Sequence, residues 1–288
     1  MDSRVFGQHT EERPSVVERL SLEQTHRTSV CRGERKLQSQ TSSGPGAEGR
    51  DTADGARLAL ADAEGEAGGI AVTAEYLDVA GRNESRSDPV TAGENARTAT
   101  EDSAAIAYIG ELGSATSRTS VPITNSADIL QVAPGSGATD LVVTETFDDS
   151  VPEDVQATGE RTFARVLPSD EVVRESFGSE DVISGPADPE DLPDAGQEMP
   201  TRFEDEYGRE PGPWAAYGYE AMASVLAAID RAGDPLSRSS VVDAYFDGTE
   251  RDSSPAPTRS PPRGRRHSMR PWPPTTWKQG RSFRSDSC

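Results

Sequence analysis

Two loops that follow apolar segments carry the residue types best suited to binding chemistry in this chain. Residues 104–109, AAIAYI, have the length and content of a buried parallel strand, and Ser114 follows where the N-cap of a helix belongs. Residues 129–133 predict the next strand, and the small-residue loop PGSGA follows at 134–138. Because the carboxyl ends of parallel strands lie at one edge, these loops predict a crevice whose helix-start amides favour an anionic group such as a carboxylate.

The middle of the chain lacks several of the side-chain types that enzymes use in catalysis. Residues 58–249 contain no Lys, His or Cys. This excludes Ser-His-Asp and Cys-His nucleophilic chemistry, Schiff bases, a Walker lysine and His/Cys metal sites from the region. Asp and Glu remain as candidates for an acid/base pair or a cation site, but no EF-hand spacing occurs among them. We predict no catalytic residue, no metal and no cofactor.

The charge of the chain is strongly acidic and unevenly spread. The net charge is −21, and residues 58–249 hold 38 of the 50 Asp and Glu but 11 of the 29 Lys and Arg. Such a surface repels nucleic acid and anionic lipid, which we exclude as partners. No segment has the roughly 18 apolar residues of a spanning helix, so we expect no direct membrane insertion. The first residues lack the apolar region of a signal peptide, which predicts that this chain, as written, stays in the cytoplasm.

The elements that must position the two loops alternate between helix and strand. Apolar spacing and Gly or Pro breakers predict, in chain order, helix 56–63, strand 70–77, helix 89–102, strand 104–109, a short helix from Ser114, strand 129–133, strand 161–167, and helices 199–207, 213–232 and 237–246. This order, with right-handed crossovers, predicts an α/β fold in which helices cover a parallel sheet.

Both ends of the chain differ in composition from the middle. Residues 1–50 are polar with little apolar periodicity, and residues 250–288 contain seven Pro and nine basic residues, which argues against helix or sheet. We predict that both segments are disordered. Since they hold every Lys, His and Cys, we interpret them as out-of-frame readings of a GC-rich gene. The alternative for the Pro/Arg-rich tail is a basic arm for an acidic partner or an SH3-type ligand.

Four blocks of sequence, in a fixed order, carry a resemblance to a known family. They are DGARLALADAEGEAGG at 54–69, DPVTAGENARTATEDSAAIAYIGELGSATSRTSVPITNSADILQVAP at 88–134, ERTFARVLPSDEVV at 160–173, and FEDEYGREPGPWAAYGYEAMASVLAAIDRAG at 203–233. On these residues the chain resembles the leucine/isoleucine/valine-binding family, the type 1 periplasmic substrate-binding proteins of branched-chain amino-acid ABC transporters. The resemblance implies that residues 51–173 form the first, ligand-binding lobe of that fold.

The same resemblance implies an amino-acid site at the two loops. In that family a serine at the YIGE-x-x-S position grips the carboxylate of the amino acid, and the loop after the next strand assists. Ser114 matches the serine, while Gly135 and Gly137 fall on contact positions of the second loop, with Ser136 between them. The usual hydroxyl of the family is absent at Gly137, so the resemblance implies contact through the backbone there.

After Val173 the family continues into a long second lobe, which supplies the acid that binds the ammonium group, and this chain does not match it. Residues 174–249 are therefore expected to hold a remnant of that lobe and the C-terminal helices of the family, with the second lobe largely missing.

The implied function is solute binding for amino-acid uptake. The ligand would be a small amino acid, branched-chain ones included, and the partner an ABC permease, in a family that is periplasmic or on the cell surface. A non-functional remnant of such a protein also fits the missing lobe. The alternatives are an interaction module that uses the tail and a carboxylate-dependent enzyme. The missing nucleophiles and metal ligands count against the enzyme.

Overall fold

The secondary structure alternates between strands and helices, as the sequence predicts. The structure is a computed structural model that describes residues 35–41, 47–79, 87–142, 154–177, 184–186, 192 and 196–247. Its strands are β1 (Arg35–Thr41), β2 (Glu66–Ala67), β3 (Ile70–Asp78), β4 (Ala105–Ile109), β5 (Leu130–Ala133) and β6 (Phe163–Arg165). Its helices are α1 (Ala47–Asp62), α2 (Pro89–Glu101), α3 (Ser114–Ser126), α4 (Asp170–Phe177), α5 (Glu198–Tyr207), α6 (Pro213–Ala232) and α7 (Arg238–Phe246).

The described strands form one sheet in the order β2-β3-β1-β4-β5-β6. Neighbouring strands from β3 to β6 pair in parallel, and the two-residue β2 pairs antiparallel with β3 at one edge. The predicted parallel sheet is confirmed. The chain passes from β1 outward to β3 and then back across β1 to β4, so the strand order reverses between β1 and β4. Open parallel sheets bind ligands outside the carboxyl ends of their strands at such a reversal.

The prediction that residues 1–50 are disordered is wrong for two stretches. Arg35–Thr41 forms the central strand β1, paired along its length with β3 and in part with β4, and α1 begins at Ala47. The sequence of β1, RKLQSQT, has one large apolar residue, whereas buried parallel strands are usually Val, Ile and Leu rich. Because its pairing joins backbone groups, the strand forms despite this atypical pattern. Residues 1–34 and 42–46 lie outside the described ranges.

One face of the sheet packs against α1, α6 and α7. A single core joins them to β3, β4 and β5 through buried side chains that include Leu58, Val72, Ile106, Leu130, Met222, Val225, Ile229, Val241 and Phe246. The helices assigned to 174–249 thus share their core with residues 51–173. Whether a second lobe is largely missing stays a prediction, since 143–153, 178–183, 187–191 and 193–195 lie outside the described ranges.

Helices α1 and α6 cross in direct contact because two glycines lie at their crossing. Gly55 of α1 lies against the main chain of Ala215, and Gly218 of α6 lies against the main chain of Thr52. A Cβ atom on either glycine would overlap the facing backbone. The sequence pattern suggested that helix 56–63 starts after Gly55, but the helix runs from Ala47 through this glycine, because Gly55 serves the crossing.

The opposite face of the sheet is covered by α2 and α3. Ala96 and Ala99 of α2 pack with the fully buried Tyr108 of β4, and Ile129 completes this smaller core. Helix α4 was not predicted and has no buried residue. The tail at 250–288 lies outside the described ranges, so its predicted disorder stays a prediction.

Candidate ligand-binding site

The first loop, residues 110–113, leads from β4 into α3 at the carboxyl edge of the sheet. Gly113, rather than Ser114, is the N-cap residue, and Ser114 is the first residue of the helix. The first intrahelical bond runs from the Ser117 amide to the Gly113 carbonyl at 3.0 Å. The amides of residues 114–116 therefore precede the helical hydrogen-bond ladder, as the prediction of an anion-favouring helix start requires.

The second loop, residues 134–138, follows β5 and is joined by three hydrogen bonds to the first loop and to the start of α3. The Ala138 amide donates to Ser114 Oγ at 3.1 Å, and the Gly135 amide donates to the Glu111 carbonyl at 3.3 Å. Ser136 Oγ donates to the same carbonyl at 3.3 Å. The structure thus brings Ser114 and the loop 135–137 together, as predicted.

The Ser136 side chain bonds within the protein. Its side chain is fully buried, and its Oγ lies 2.5 Å from Ser117 Oγ, also fully buried. With its second bond to the Glu111 carbonyl, this hydroxyl fastens the second loop to α3 and to the first loop. Ser136 as a ligand contact stays a prediction, and in this arrangement such a contact would use its backbone.

Both predicted glycines pack closely against other parts of the protein. A Cβ atom at Gly135 would lie 2.6 Å from the Leu112 carbonyl oxygen and 2.9 Å from Cζ3 of Trp214 on α6. A Cβ atom at Gly137 would overlap Ser184 Oγ. A side chain at Gly135 would displace main-chain atoms, and one at Gly137 would displace the Ser184 and Asp170 side chains.

Arg165 is a charged neighbour of the second loop that was not singled out from the sequence. It ends β6, and its Nη1 donates to the Ala138 carbonyl at 2.7 Å and to the Ser136 carbonyl at 3.3 Å. Burial lowers the pKa of Arg165 to about 10, so the guanidinium stays positive at neutral pH. The sequence places Arg165 inside a predicted strand, 161–167, and this was its only signal. A single Arg in a strand does not by itself indicate a contact with the second loop.

Glu111 is a buried acid in the first loop that was not singled out from the sequence. It is 1% exposed, and its Oε1 accepts a hydrogen bond from the Tyr108 hydroxyl at 2.9 Å. Burial raises the pKa of Glu111 to about 7, while hydrogen bonds from Tyr108 and Ser120 oppose the rise. The carboxyl therefore changes charge near neutral pH. The main-chain carbonyl of the same residue accepts the hydrogen bonds from the second loop.

A buried polar network supports the first loop from below. The Gln131 side-chain amide donates to the Gly110 carbonyl at 3.0 Å and to Ser120 Oγ at 2.8 Å, and its Oε1 accepts from Thr124 Oγ1 at 2.7 Å. Because buried polar groups are costly to leave without partners, this network gives the turn between β4 and α3 a defined position.

A surface depression lies at the other edge of the sheet. Its volume is about 330 Å³, and Asp62, Ala63, Glu64, Glu66 and Gly68 line it, between the end of α1 and the start of β3. The Asp62 carboxylate already accepts hydrogen bonds from the Tyr219 hydroxyl and from Arg202. These hydrogen bonds account for the position of the Asp62 carboxylate without a ligand.

Neither a metal site nor a membrane-spanning helix is found among the described residues. They contain no group of three or more His, Cys, Asp or Glu side chains placed to hold a metal ion. Among their helices, none is both long and apolar enough to cross a membrane.

Solved structures with a similar fold include several substrate-binding proteins. No family model matches the chain, and no curated protein matches it. A Desulfitobacterium hafniense ABC transporter substrate-binding protein in complex with Leu is similar over 79% of this chain and 92% of that chain, with a TM-score of 0.56 and 13% identity. A leucine binding protein from Thermotoga maritima has a TM-score of 0.56 and 16% identity, over 78% of this chain and 91% of that chain.

A third structure carries a different ligand. It is a solute binding protein of an ABC transporter from Rhodopseudomonas palustris in complex with benzoate, with a TM-score of 0.55 and 15% identity, over 79% of this chain and 89% of that chain. Together with the parallel sheet and its helical layers, these likenesses confirm the predicted fold class. The chain has the type 1 fold of the periplasmic substrate-binding proteins of ABC transporters.

Proposed function

We propose that this chain is a solute-binding protein that holds a small carboxylate, and an amino acid in particular, between its first and second loops. The observation that carries the proposal is the bond from the Ala138 amide to Ser114 Oγ. Because this bond uses Ser114 Oγ as an acceptor, the hydroxyl proton is left to donate outward, and the amides at the start of α3 lie beside it. A carboxylate is the group that accepts from such a set of donors.

The ligands of the structural neighbours agree with this chemistry. Their structures contain leucine, isoleucine, benzoate or 3,4-dihydroxybenzoic acid. A carboxylate on a small organic body is common to all four. The hydroxyl of Ser114 and the nearby amides suit this shared carboxylate and not the remainder of the ligand. We therefore propose that the chain binds a carboxylate, and we propose no preference for a particular ligand side chain.

An ABC permease is the proposed partner, because delivery of a bound solute is what this fold does in the neighbours' transporters. The acidic surface makes nucleic acid an unfavourable partner at physiological salt. The location of the chain in the cell stays a prediction.

Isothermal titration calorimetry with leucine, isoleucine and benzoate tests the proposal. We expect heat of binding with at least one of them, and roughly tenfold weaker binding in Ser114→Ala, since one hydrogen bond to a charged group is lost. Ser126→Ala is the matched control, because Ser126 is an exposed serine near the far end of the same helix that donates to the Ile123 carbonyl. If wild type gives no heat with any of the three, the proposed function is wrong.

A further inference from the structure

The Glu111 carboxyl group is buried and receives hydrogen bonds from β4 and α3. The Tyr108 hydroxyl of β4 donates to Glu111 Oε1 at 2.9 Å, and the Ser120 hydroxyl of α3 donates to the same carboxyl group. Ser120 Oγ at the same time accepts from the Gln131 side-chain amide at 2.8 Å. Both donors are uncharged, so neither supplies the positive charge that would balance an ionised carboxylate in a buried position.

The main chain of Glu111 joins the two loops of the proposed site. Its carbonyl accepts from the Gly135 amide and from Ser136 Oγ, both at 3.3 Å. Ser114 follows three residues later at the start of α3, and its Oγ accepts from the Ala138 amide of the same second loop. Three residues of extended chain span at most about 11 Å, so the Cα atoms of Glu111 and Ser114 are no farther apart than this.

A negative charge on Glu111 therefore acts on an anion held at the start of α3. With an effective dielectric constant of about 20, the repulsion between two negative charges about 11 Å apart corresponds to roughly a tenfold loss of affinity. The same charge offsets the partial positive charge that the amides at the start of α3 provide. Protonation of the carboxyl removes both effects.

From this geometry we infer that carboxylate binding at the two loops is coupled to protonation of Glu111. The chain takes up a proton when the ligand binds, and it binds carboxylates more tightly at mildly acidic pH than at mildly alkaline pH. The coupling is reciprocal, because the ligand's charge favours the protonated carboxyl as much as protonation favours the ligand. This inference rests on the proposed function, since it needs an anionic ligand at Ser114, and it adds regulation by pH to that site.

Glu111 is placed to titrate between pH 5.5 and pH 8, and its neighbours are not. Burial raises the pKa of Glu111 to about 7. Burial also raises the pKa of Tyr108 well above its ordinary value, so Tyr108 stays neutral, and Arg165 beside the second loop, with a pKa of about 10, stays positive. Arg165 in turn interacts electrostatically with Asp170, Arg161, Asp140 and Glu171. Described side chains that contact the two loops and do not titrate are Ser120 of α3, Gln131 of β5 and Trp214 of α6.

Calorimetry with leucine, isoleucine and benzoate at pH 5.5, 6.5 and 8 tests the inference in the full chain. The carboxylate of each ligand stays ionised in this range, because such acids titrate below about pH 4.5. For a ligand that binds, we expect about fivefold higher affinity at pH 5.5 than at pH 8, less than tenfold because the complex still holds part of the proton at pH 8. At pH 7.5 the heats in HEPES and in Tris should differ by an uptake of about half a proton per ligand.

Glu111→Gln has no charge to titrate, so its affinity should change less than about twofold over the same range, and it should take up no proton. Glu94→Gln, which removes an exposed charge from α2, is the control and should keep the wild-type pH profile. Thermal melts show whether each variant is folded, and the two-buffer comparison needs wild type alone. A ligand that binds wild type without proton uptake, or with the same pH profile in a folded Glu111→Gln, would overturn the inference and leave the proposed function standing. Absence of binding by all three ligands at every pH would overturn both.

Discussion

Replacement of Glu111 by Gln should remove a pH dependence from the stability of the fold. Glu111 is buried, and its pKa in the folded protein is about 7, against an ordinary value of 4.5. An acid with a raised pKa keeps its proton in the folded state over a range where the unfolded chain has lost it. The folded state then binds more protons, so the free energy of unfolding falls as the pH rises from about 4.5 to about 7.

The size of the effect follows from the shift. Each pKa unit corresponds to about 1.4 kcal/mol, so Glu111 lowers the free energy of unfolding by about 3 kcal/mol across the whole range and by about 2 kcal/mol between pH 5.5 and pH 8. Gln has no charge to titrate, and its Oε1 still accepts the hydrogen bond from Tyr108. The variant should therefore gain about 2 kcal/mol relative to wild type over that interval.

Urea denaturation followed by far-UV circular dichroism at pH 5.5, 6.5, 7.25 and 8 measures the effect. These pH values lie above the isoelectric point of about 4.5 that follows from the sequence. Near the isoelectric point the protein has little net charge, and association would interfere with the measurement. Other carboxylates contribute to both curves, so the quantity of interest is the difference between variant and wild type at each pH. Glu94→Gln, at an exposed position of α2, is the control and should give a constant difference.

The reasoning fails if the curves of wild type and Glu111→Gln run parallel from pH 5.5 to pH 8. That result would mean that Glu111 is ionised in the folded protein throughout this range. It would also mean that the turn between β4 and α3 tolerates a buried charge.

Two further predictions concern how α6 and α7 pack against the rest of the fold. Gly218→Ala should lower the free energy of unfolding by about 1–3 kcal/mol, because the alanine Cβ would overlap the Thr52 backbone. This loss outweighs the higher helix propensity of alanine. A stability equal to or above wild type in urea melts would contradict the close contact between α1 and α6. Arg238→Ala should cost roughly 2 kcal/mol, since the guanidinium donates to the carbonyls of Thr100, Asp102, Ala105 and Ala127. Arg238→Lys should recover less than half of that loss, because a single ammonium cannot reach all four; full recovery in the same melts would show that charge alone matters.

Most of the elements were predictable because their signals are local. The strands β3, β4 and β5 and the helices α2, α5, α6 and α7 lie within a few residues of their predicted positions. Each has an apolar period or a Gly, Ser or Pro boundary in its own sequence, as Ser237 shows at the start of α7, where it forms a capping box with Ser240. The pairing of Ser114 with the loop after β5 also follows, because consecutive parallel strands bring their carboxyl ends together.

The errors arose where a residue's role depends on distant partners. Gly55 looked like a helix breaker, yet it lies inside α1 because α6 packs against it. The buried contact of the Ser136 hydroxyl with Ser117 could not be read from the sequence, while Ser136 as a ligand contact stays a prediction. The segment Arg35–Thr41 has no strand pattern of its own, and it is a strand because β3 and β4 pair with its backbone.

The sequence by itself determined the class of fold, the edge of the sheet at which the two loops meet and the exclusion of His, Cys and Lys chemistry from residues 58–249. These follow from composition and from patterns that act between near neighbours in the chain. Tertiary structure alone decided which groups meet at the second loop, where Arg165, Asp170 and Ser184 approach from positions up to 49 residues beyond Gly135. Such contacts depend on how strands and helices are arranged in space, and the protonation of Glu111 depends on the burial that this arrangement creates.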